Sequence, residues 1–402
     1  MRKQGCKYAP CITVSGVNAI NDCKTINFPK IVIIRKIICN FARRCQYVAG
    51  VVFFMKAVQA GSWQRMDDIN ILKMNEKIQQ TLKSSETEDW LDLHVVRPLC
   101  YYCALAFARF DIHPNTVTIM SMIVGAGSAI LFAQGCFYYN GTHGLFVNLV
   151  AIALLCVADI LDCTDGQLAR MTGKKSPMGR ILDGVAGFVW FVPIYLALVY
   201  RFYYHHEIEF SFLGIADTEQ NTLIATAVVF ILGVISGVWG IAGQQRLADY
   251  YIQAHLYFLK GEKGSELDNS VAERAKYEGM TKDNTSWAER YFQKSYVGYT
   301  EKQEAVTPEF QKLMGKLRSK YGTAENIPAE IRKEFRDASL PVIFWNGLLT
   351  FNFRSMWFFI FCLLDVPAMN FIWEIFAMGA LYFYVKHRHE AFCKRINDKI
   401  SE

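Results

Sequence analysis

An apolar run from Leu145 to Leu161 leads without a break into three aspartates, Asp159, Asp162 and Asp165. The run is long enough to cross the hydrocarbon of a bilayer as a helix, and a helix satisfies all of its own backbone groups there. Carboxylates are costly at the edge of lipid, so these read as functional. On a helix, Asp162, Asp165, Gly166 and Ala169 fall at spacings of three and four, which sets two acids on one face with two residues of almost no side chain. After a short basic loop, Gly179 and Asp183 repeat the spacing of four, so a second helix can bring a third carboxylate opposite the first two. Three hard oxygen donors near a membrane suit a divalent cation that keeps positions for water or substrate phosphate.

Other stretches share this character. Thr116–Gln134, a segment from about Ile181 to Tyr200, one from about Leu223 to Gly243, Pro341–Leu364 and Met369–Val385 bring the expected spans to six. Before them, the mixed apolar and charged segment from Glu86 to Ile112 reads as an amphipathic helix lying in the interface, broken at His113-Pro114. Arg170, Lys174, Lys175 and Arg180 place the loop between the second and third spans on the cytoplasmic side, whereas residues 136–144 hold no Lys or Arg and face away. Pro193 should kink the third span. Gly233, Gly237 and Gly240 form a row along the fourth where a helix can approach closely within the bundle. Residues 244–340 are too polar to cross a bilayer and should form a helical cytosolic insert, followed by two spans and a basic end over 341–402. Arg354 sits inside an expected span, where it must face a watery cavity or an anion, or snorkel to the interface.

The chain is 52% hydrophobic and 14% aromatic, which suits lipid-facing helices joined to a wet portion. Its net charge of +6 is uneven. Residues 1–65 hold eleven Lys and Arg against one acid, Asp22, so they contribute +10 and the remainder −4. That stretch reads as a membrane-surface or targeting segment, a basic tail, or sequence upstream of a start at Met66, the last being preferred. Residues 66–243 then carry the interfacial helix, four spans and the acidic constellation. Nothing points to a nucleic-acid partner. The twelve cysteines are scattered, and Cys100-x2-Cys103 stands alone and reads as ordinary helix surface.

The pattern Asp162-x2-Asp165-Gly166-x2-Ala169-Arg170-x8-Gly179-x3-Asp183 resembles the signature of the CDP-alcohol phosphotransferases, and PNTVT from Pro114 resembles the same family. The resemblance implies an all-α membrane enzyme that moves a phosphate-linked alcohol from a CDP-alcohol donor to an acceptor hydroxyl, releasing CMP. It further implies Mg²⁺ or Mn²⁺ held by Asp162, Asp165 and Asp183, with Arg170 as a fixed cation on the phosphates. Gly166, Ala169 and Gly179 would leave room for the nucleotide, and the resemblance makes the row of Gly233, Gly237 and Gly240 a candidate homodimer contact as well as a packing surface within the bundle. The family signature closes on an aspartate, its presumed base, at a position that here is Gly187. Asp159, one turn before Asp162, is the residue expected to stand in for it. Arg97, Arg109 and Arg354 are candidates for reading the acceptor.

Two other readings compete. A non-catalytic membrane relative could keep metal and nucleotide binding and act as a partner or scaffold, which Gly187 favours and the retained acids disfavour. A cation transporter fits less well, because the acids lie at one end and no polar series continues the path. The expected location is a bacterial inner membrane, or the endoplasmic reticulum for a eukaryotic chain.

Overall fold

The computed structural model describes Ser84, residues 86–88 and residues 92–401 apart from 175–176 and 282–284. The chain divides into Met1–Phe53 and Phe54–Glu402, and every described residue belongs to the second unit. The readings of residues 1–65 as tail, targeting segment or upstream sequence lie outside the described residues. All the described regular structure is helical.

A π-helical turn, Asp92–Val96, opens into α1, Arg97–Arg109. Leu93, Val96, Cys100, Tyr101 and Ala104 are buried, while Leu99, Tyr102, Leu105 and Phe110 remain exposed. Apolar groups on both sides suit a helix lying against the bundle within the interface. The break falls where expected: His113 is extended, its Nδ1 accepts from the backbone of Asn115, and Pro114 begins α2, Pro114–Gln134. Next come α3, Phe137–Thr172, and α4, Pro177–Tyr204. Gly173, with φ +70°, closes α3 in the left-handed conformation that glycine adopts most readily.

Both α3 and α4 pack chiefly along α2. The α2–α4 approach is so close that a Cβ on Gly125 would lie 2.3 Å from the Trp190 ring. Phe132, Leu155, Trp190, Phe191, Ile194 and Leu198 fill the bundle core.

A short helix, α5 (Glu207–Leu213), leads to α6, Glu219–Ser236. The fourth span was expected to stop near Gly243, but the helix continues through a π-helical stretch, Gly237–Gln245, into α7, Arg246–Lys260. Among the described residues, four helical segments are long and apolar enough to cross a membrane: Pro114–Gln134, Asn140–Thr172, Leu182–Tyr204 and Glu219–Lys260.

The expected fifth and sixth spans are not continuous apolar rods. Pro341 lies inside a helix that begins in the polar insert, Ala329–Gly347, and a turn separates this from Phe351–Leu363. Thirteen residues reach only about 20 Å, less than the ~30 Å of hydrocarbon. Asp365, with φ +66°, makes the next turn. Met369–Ile372, a π-helical stretch Trp373–Ala377 and Met378–Ser401 then form the end of the chain, carrying buried Asn370 and Glu374.

The insert contains α8 (Ser270–Glu278), α9 (Trp287–Ala305), α10 (Pro308–Tyr321) and α11 (Ala329–Gly347). After it come α12 (Phe351–Leu363), α13 (Met369–Ile372) and α14 (Met378–Ser401). A second core joins Leu247, Tyr251 and Ala254 of α7 to Phe310 and Leu313 of α10, Phe335 of α11 and Val385, Phe392 and Ile396 of α14. The basic C-terminal sequence is therefore part of a packed helix.

Arg354 neither snorkels nor meets an open cavity. Its Nη1 lies 3.2 Å from Glu374 Oε1 with both side chains sealed, and its Nη2 donates to Gln244 Oε1 at 3.0 Å and to the Gly240 carbonyl at 3.3 Å. Tyr195 donates to Glu374 at 2.6 Å, and Ser236 donates to it as well. The glycine row serves this interior. A Cβ on Gly233 would meet Phe371 at 3.3 Å, one on Gly237 would meet Tyr195 at 3.9 Å, and one on Gly240 would meet Arg354 at 2.7 Å. Gly233 and Gly240 are thus buried within one chain, while Gly237 is partly exposed. A second buried pair, Arg201 with Asp365, is joined by Asn148, which accepts from Arg201 at 3.0 Å.

Candidate active site

The acids lie toward the end of α3. Asp162 faces the charges of Asp183, Asp165 and Asp159, so the signature acids from α3 and α4 do share one electrostatic neighbourhood. Asp165 is buried and accepts a hydrogen bond from Thr118 of α2. Asp183 is exposed on α4. Both α3 and α4 pack on α2 and little on each other.

Thr118 is a neighbour of the candidate site that the spacing argument missed. The signal was its place in PNTVT, which starts α2 and sets the hydroxyl beside the carboxylate that arrives from α3.

Asp162 Oδ1 is sealed from solvent with no hydrogen-bond partner among the described residues. A buried carboxylate oxygen without a donor is costly, and a hard cation would satisfy it. The donor set therefore fits Mg²⁺ or Mn²⁺ chemically. Among the described residues, however, no three His, Cys, Asp or Glu side chains are drawn together closely enough to hold a metal ion.

Arg170 stands one turn after Gly166, where a Cβ would lie 3.4 Å from its Nη1. The glycine thus makes room for this guanidinium. Arg170 Nε is buried and has no hydrogen-bond partner among the described residues, and the charge of Arg97 on α1 acts on it. Arg97 is paired with Glu88 at 3.0 Å, and its carbonyl accepts from Gln167 at 3.3 Å. Two guanidinium groups near a cluster of acids are a setting for phosphate. Ala169 and Gly179 are both partly buried beside these groups in sequence.

Asp159 lies one turn before Asp162 on α3, where its charge reaches Asp162 and where Asp92 and Arg97 of the interfacial segment act on it. Burial pushes the Asp92 carboxyl above the usual carboxylate range, against an opposing hydrogen bond with Asn352. At Gly187 an added Cβ would meet nothing within 4 Å, so the position lacks a carboxylate but has space for one. Arg354, buried with Glu374, is withdrawn from the candidates for the acceptor.

Residues 111–240 match the family model described as CDP-alcohol phosphatidyltransferase. The match runs from the start of α2 through α6, less than half of the chain, and takes in all the signature residues. No curated protein and no solved structure matches the chain.

Proposed function

We propose that the chain moves a phosphate-linked alcohol, with CDP-diacylglycerol the first donor to test, onto an acceptor hydroxyl in phospholipid synthesis. The observation that carries this reading is Asp162: its orphaned oxygen lies among the charges of Asp183 and Asp165, with the unpaired Nε of Arg170 two turns further along α3. In the reaction the acceptor oxygen bonds to the phosphorus carrying the donor alcohol, the bond from that phosphorus to the CMP oxygen breaks, and CMP leaves with the electron pair.

Asp162, Asp165 and Asp183 would hold Mg²⁺ or Mn²⁺, which supplies charge neutralisation at the pyrophosphate. Thr118 keeps the Asp165 carboxylate oriented. Arg170 provides a planar cation for the phosphate oxygens. Asp159 is our candidate for the group that takes the hydroxyl proton, in place of the carboxylate missing at Gly187. A homodimer is part of this reading, with Gly237 the partly exposed member of the glycine row. The favoured location is a bacterial inner membrane, with the endoplasmic reticulum for a eukaryotic chain.

The test is CMP release by purified protein in detergent, with CDP-diacylglycerol and a panel of acceptor alcohols, in Mg²⁺ or Mn²⁺ and with chelator. Release that needs both metal and acceptor, and that Asp183→Asn abolishes, supports the transferase. Gly187 favours one alternative, a non-catalytic relative, for which the outcome is metal-dependent CDP binding without release.

A further inference from the structure

Ahead of α1, Ser84 and residues 86–88 make a turn: the Ser84 hydroxyl accepts from the Glu86 backbone at 3.2 Å, and the Ser84 carbonyl accepts from the Thr87 backbone at 3.4 Å. The two glutamates of the turn hold different parts of the protein. Glu86 joins the insert, accepting from Arg336 Nε of α11 at 3.0 Å and from His255 of α7 at 3.1 Å, and Ser339 Oγ of α11 lies 2.7 Å from the other nitrogen of that buried imidazole. Glu88 accepts from Arg97 Nε at 3.0 Å, a pair with side chains only 7% and 16% exposed. Arg97 in turn borders the helix of the acids. Its carbonyl accepts from Gln167 at 3.3 Å, and one turn along α1 the Cys100 thiol donates to the Ile160 carbonyl at 3.4 Å, so α1 runs beside the stretch of α3 that carries Asp162 and Asp165. Cys100, expected on the helix surface, is buried at this crossing. Arg170 comes three residues after Gln167 and four after Gly166, and it therefore stands between the face of α3 turned to α1 and the face that carries Asp162 and Gly166.

We propose that Glu88 positions Arg97 as a second phosphate-holding cation beside Arg170, and that the insert sets this position by gripping Glu86. A carboxylate on Nε fixes the plane of the guanidinium and leaves its two Nη groups, which donate to no described residue, as a parallel pair for two phosphate oxygens. The grip on Glu86 passes to Glu88 two residues on, so the polar insert acquires a part in the site without contributing a ligand to it. Glu86, Glu88, Arg97 and Arg336 all lie outside residues 111–240, beyond what the family match describes. The ligand is a phosphate of the donor or of the acceptor alcohol. The effect on turnover rests on the transferase reading, whereas phosphate binding is read without turnover.

The experiment follows CMP release by the purified full chain in detergent, first against rising CDP-diacylglycerol and then against rising acceptor, with glycerol 3-phosphate and glycerol as the acceptors with and without a phosphate. Binding of inorganic pyrophosphate in Mg²⁺ is measured alongside by titration calorimetry. Glu88→Ala should raise the KM of the substrate whose phosphate Arg97 holds by roughly 10–100-fold, what one hydrogen bond to a charged group is worth, with kcat nearly unchanged. Glu88→Gln keeps an acceptor oxygen for Nε and should recover most of that KM. Arg336→Ala, on the insert, should raise the same KM by a smaller factor. A shift in the CDP-diacylglycerol series assigns the donor's phosphate, and one confined to glycerol 3-phosphate assigns the acceptor's. Loss of kcat and melting temperature in Glu88→Ala with every KM unchanged overturns the positioning role, and an unchanged KM in Arg336→Ala overturns the part given to the insert. If the unsubstituted chain releases no CMP with any acceptor, the transferase reading fails and pyrophosphate affinity decides: unless it falls in Glu88→Ala and returns in Glu88→Gln, the proposal is wrong.

Discussion

Arg354 and Glu374 form an ion pair of 3.2 Å with side chains 0% and 1% exposed, as enclosed as the pair of Arg201 with Asp365. Removing one partner leaves a bare charge in a dry interior. Arg354→Met alone should therefore destabilise the protein by about 3–5 kcal/mol, whereas Arg354→Met with Glu374→Leu should recover most of that loss. Thermal unfolding in detergent, followed by circular dichroism, reads both. An equal loss in the single and double variants would show that Tyr195, Ser236 and Gln244 hold the region without the pair.

Thr118→Val keeps the shape of the α2 side chain and removes the hydroxyl that donates to Asp165. Metal affinity should fall by roughly 10–100-fold, as it does when groups behind a ligand are lost. Mn²⁺ binding measured by electron paramagnetic resonance gives the constant directly. An unchanged constant would separate Asp165 from the metal.

Asp159→Asn should lower CMP release by roughly 10²-fold or more if that carboxylate takes the proton. Because a Cβ at Gly187 meets nothing within 4 Å, Gly187→Asp in the same background should restore release without loss of stability. Release that Asp159→Asn leaves intact removes Asp159 from the reaction.

Glu86 reaches the insert through Arg336, Nη2 to Oε1 2.5 Å, and also accepts from His255 at 3.1 Å. The Arg336 hydrogen bond holds its carboxyl below the ordinary value of 4.5 despite some desolvation. A carboxylate with a lowered folded pKa adds stability above the unfolded value and loses it as pH falls through the folded one. Glu86→Gln should thus cost a measurable amount at pH 7, on the order of 1 kcal/mol or less for a partly exposed pair. The difference should disappear as the pH drops well below 4.5. Melting curves of both proteins across that range check the sign.

The four spans, the break at His113-Pro114 and the shared neighbourhood of Asp162, Asp165 and Asp183 were legible, because each follows from local apolarity or helical spacing. What escaped the sequence needed partners distant along the chain. Arg354 looked like a stray cation because Glu374, Gln244 and Tyr195 come from three other segments. Gly233, Gly237 and Gly240 marked a close approach correctly, but nothing in their spacing says that Phe371, Tyr195 and Arg354 of the same chain fill it. The helix past Gly243 was hidden by a change in composition: the backbone continues while the residues facing it turn from lipid to protein.

That continuation has an engineering consequence. The segment after Gly243 looks like a cassette that could be deleted to leave a minimal transferase, yet Leu247, Tyr251 and Ala254 on the same helix anchor the second core, and α14 closes it from the far end of the chain. The cut that seems most natural on composition would expose apolar surface on both sides of it, so the two halves of this protein are not interchangeable modules.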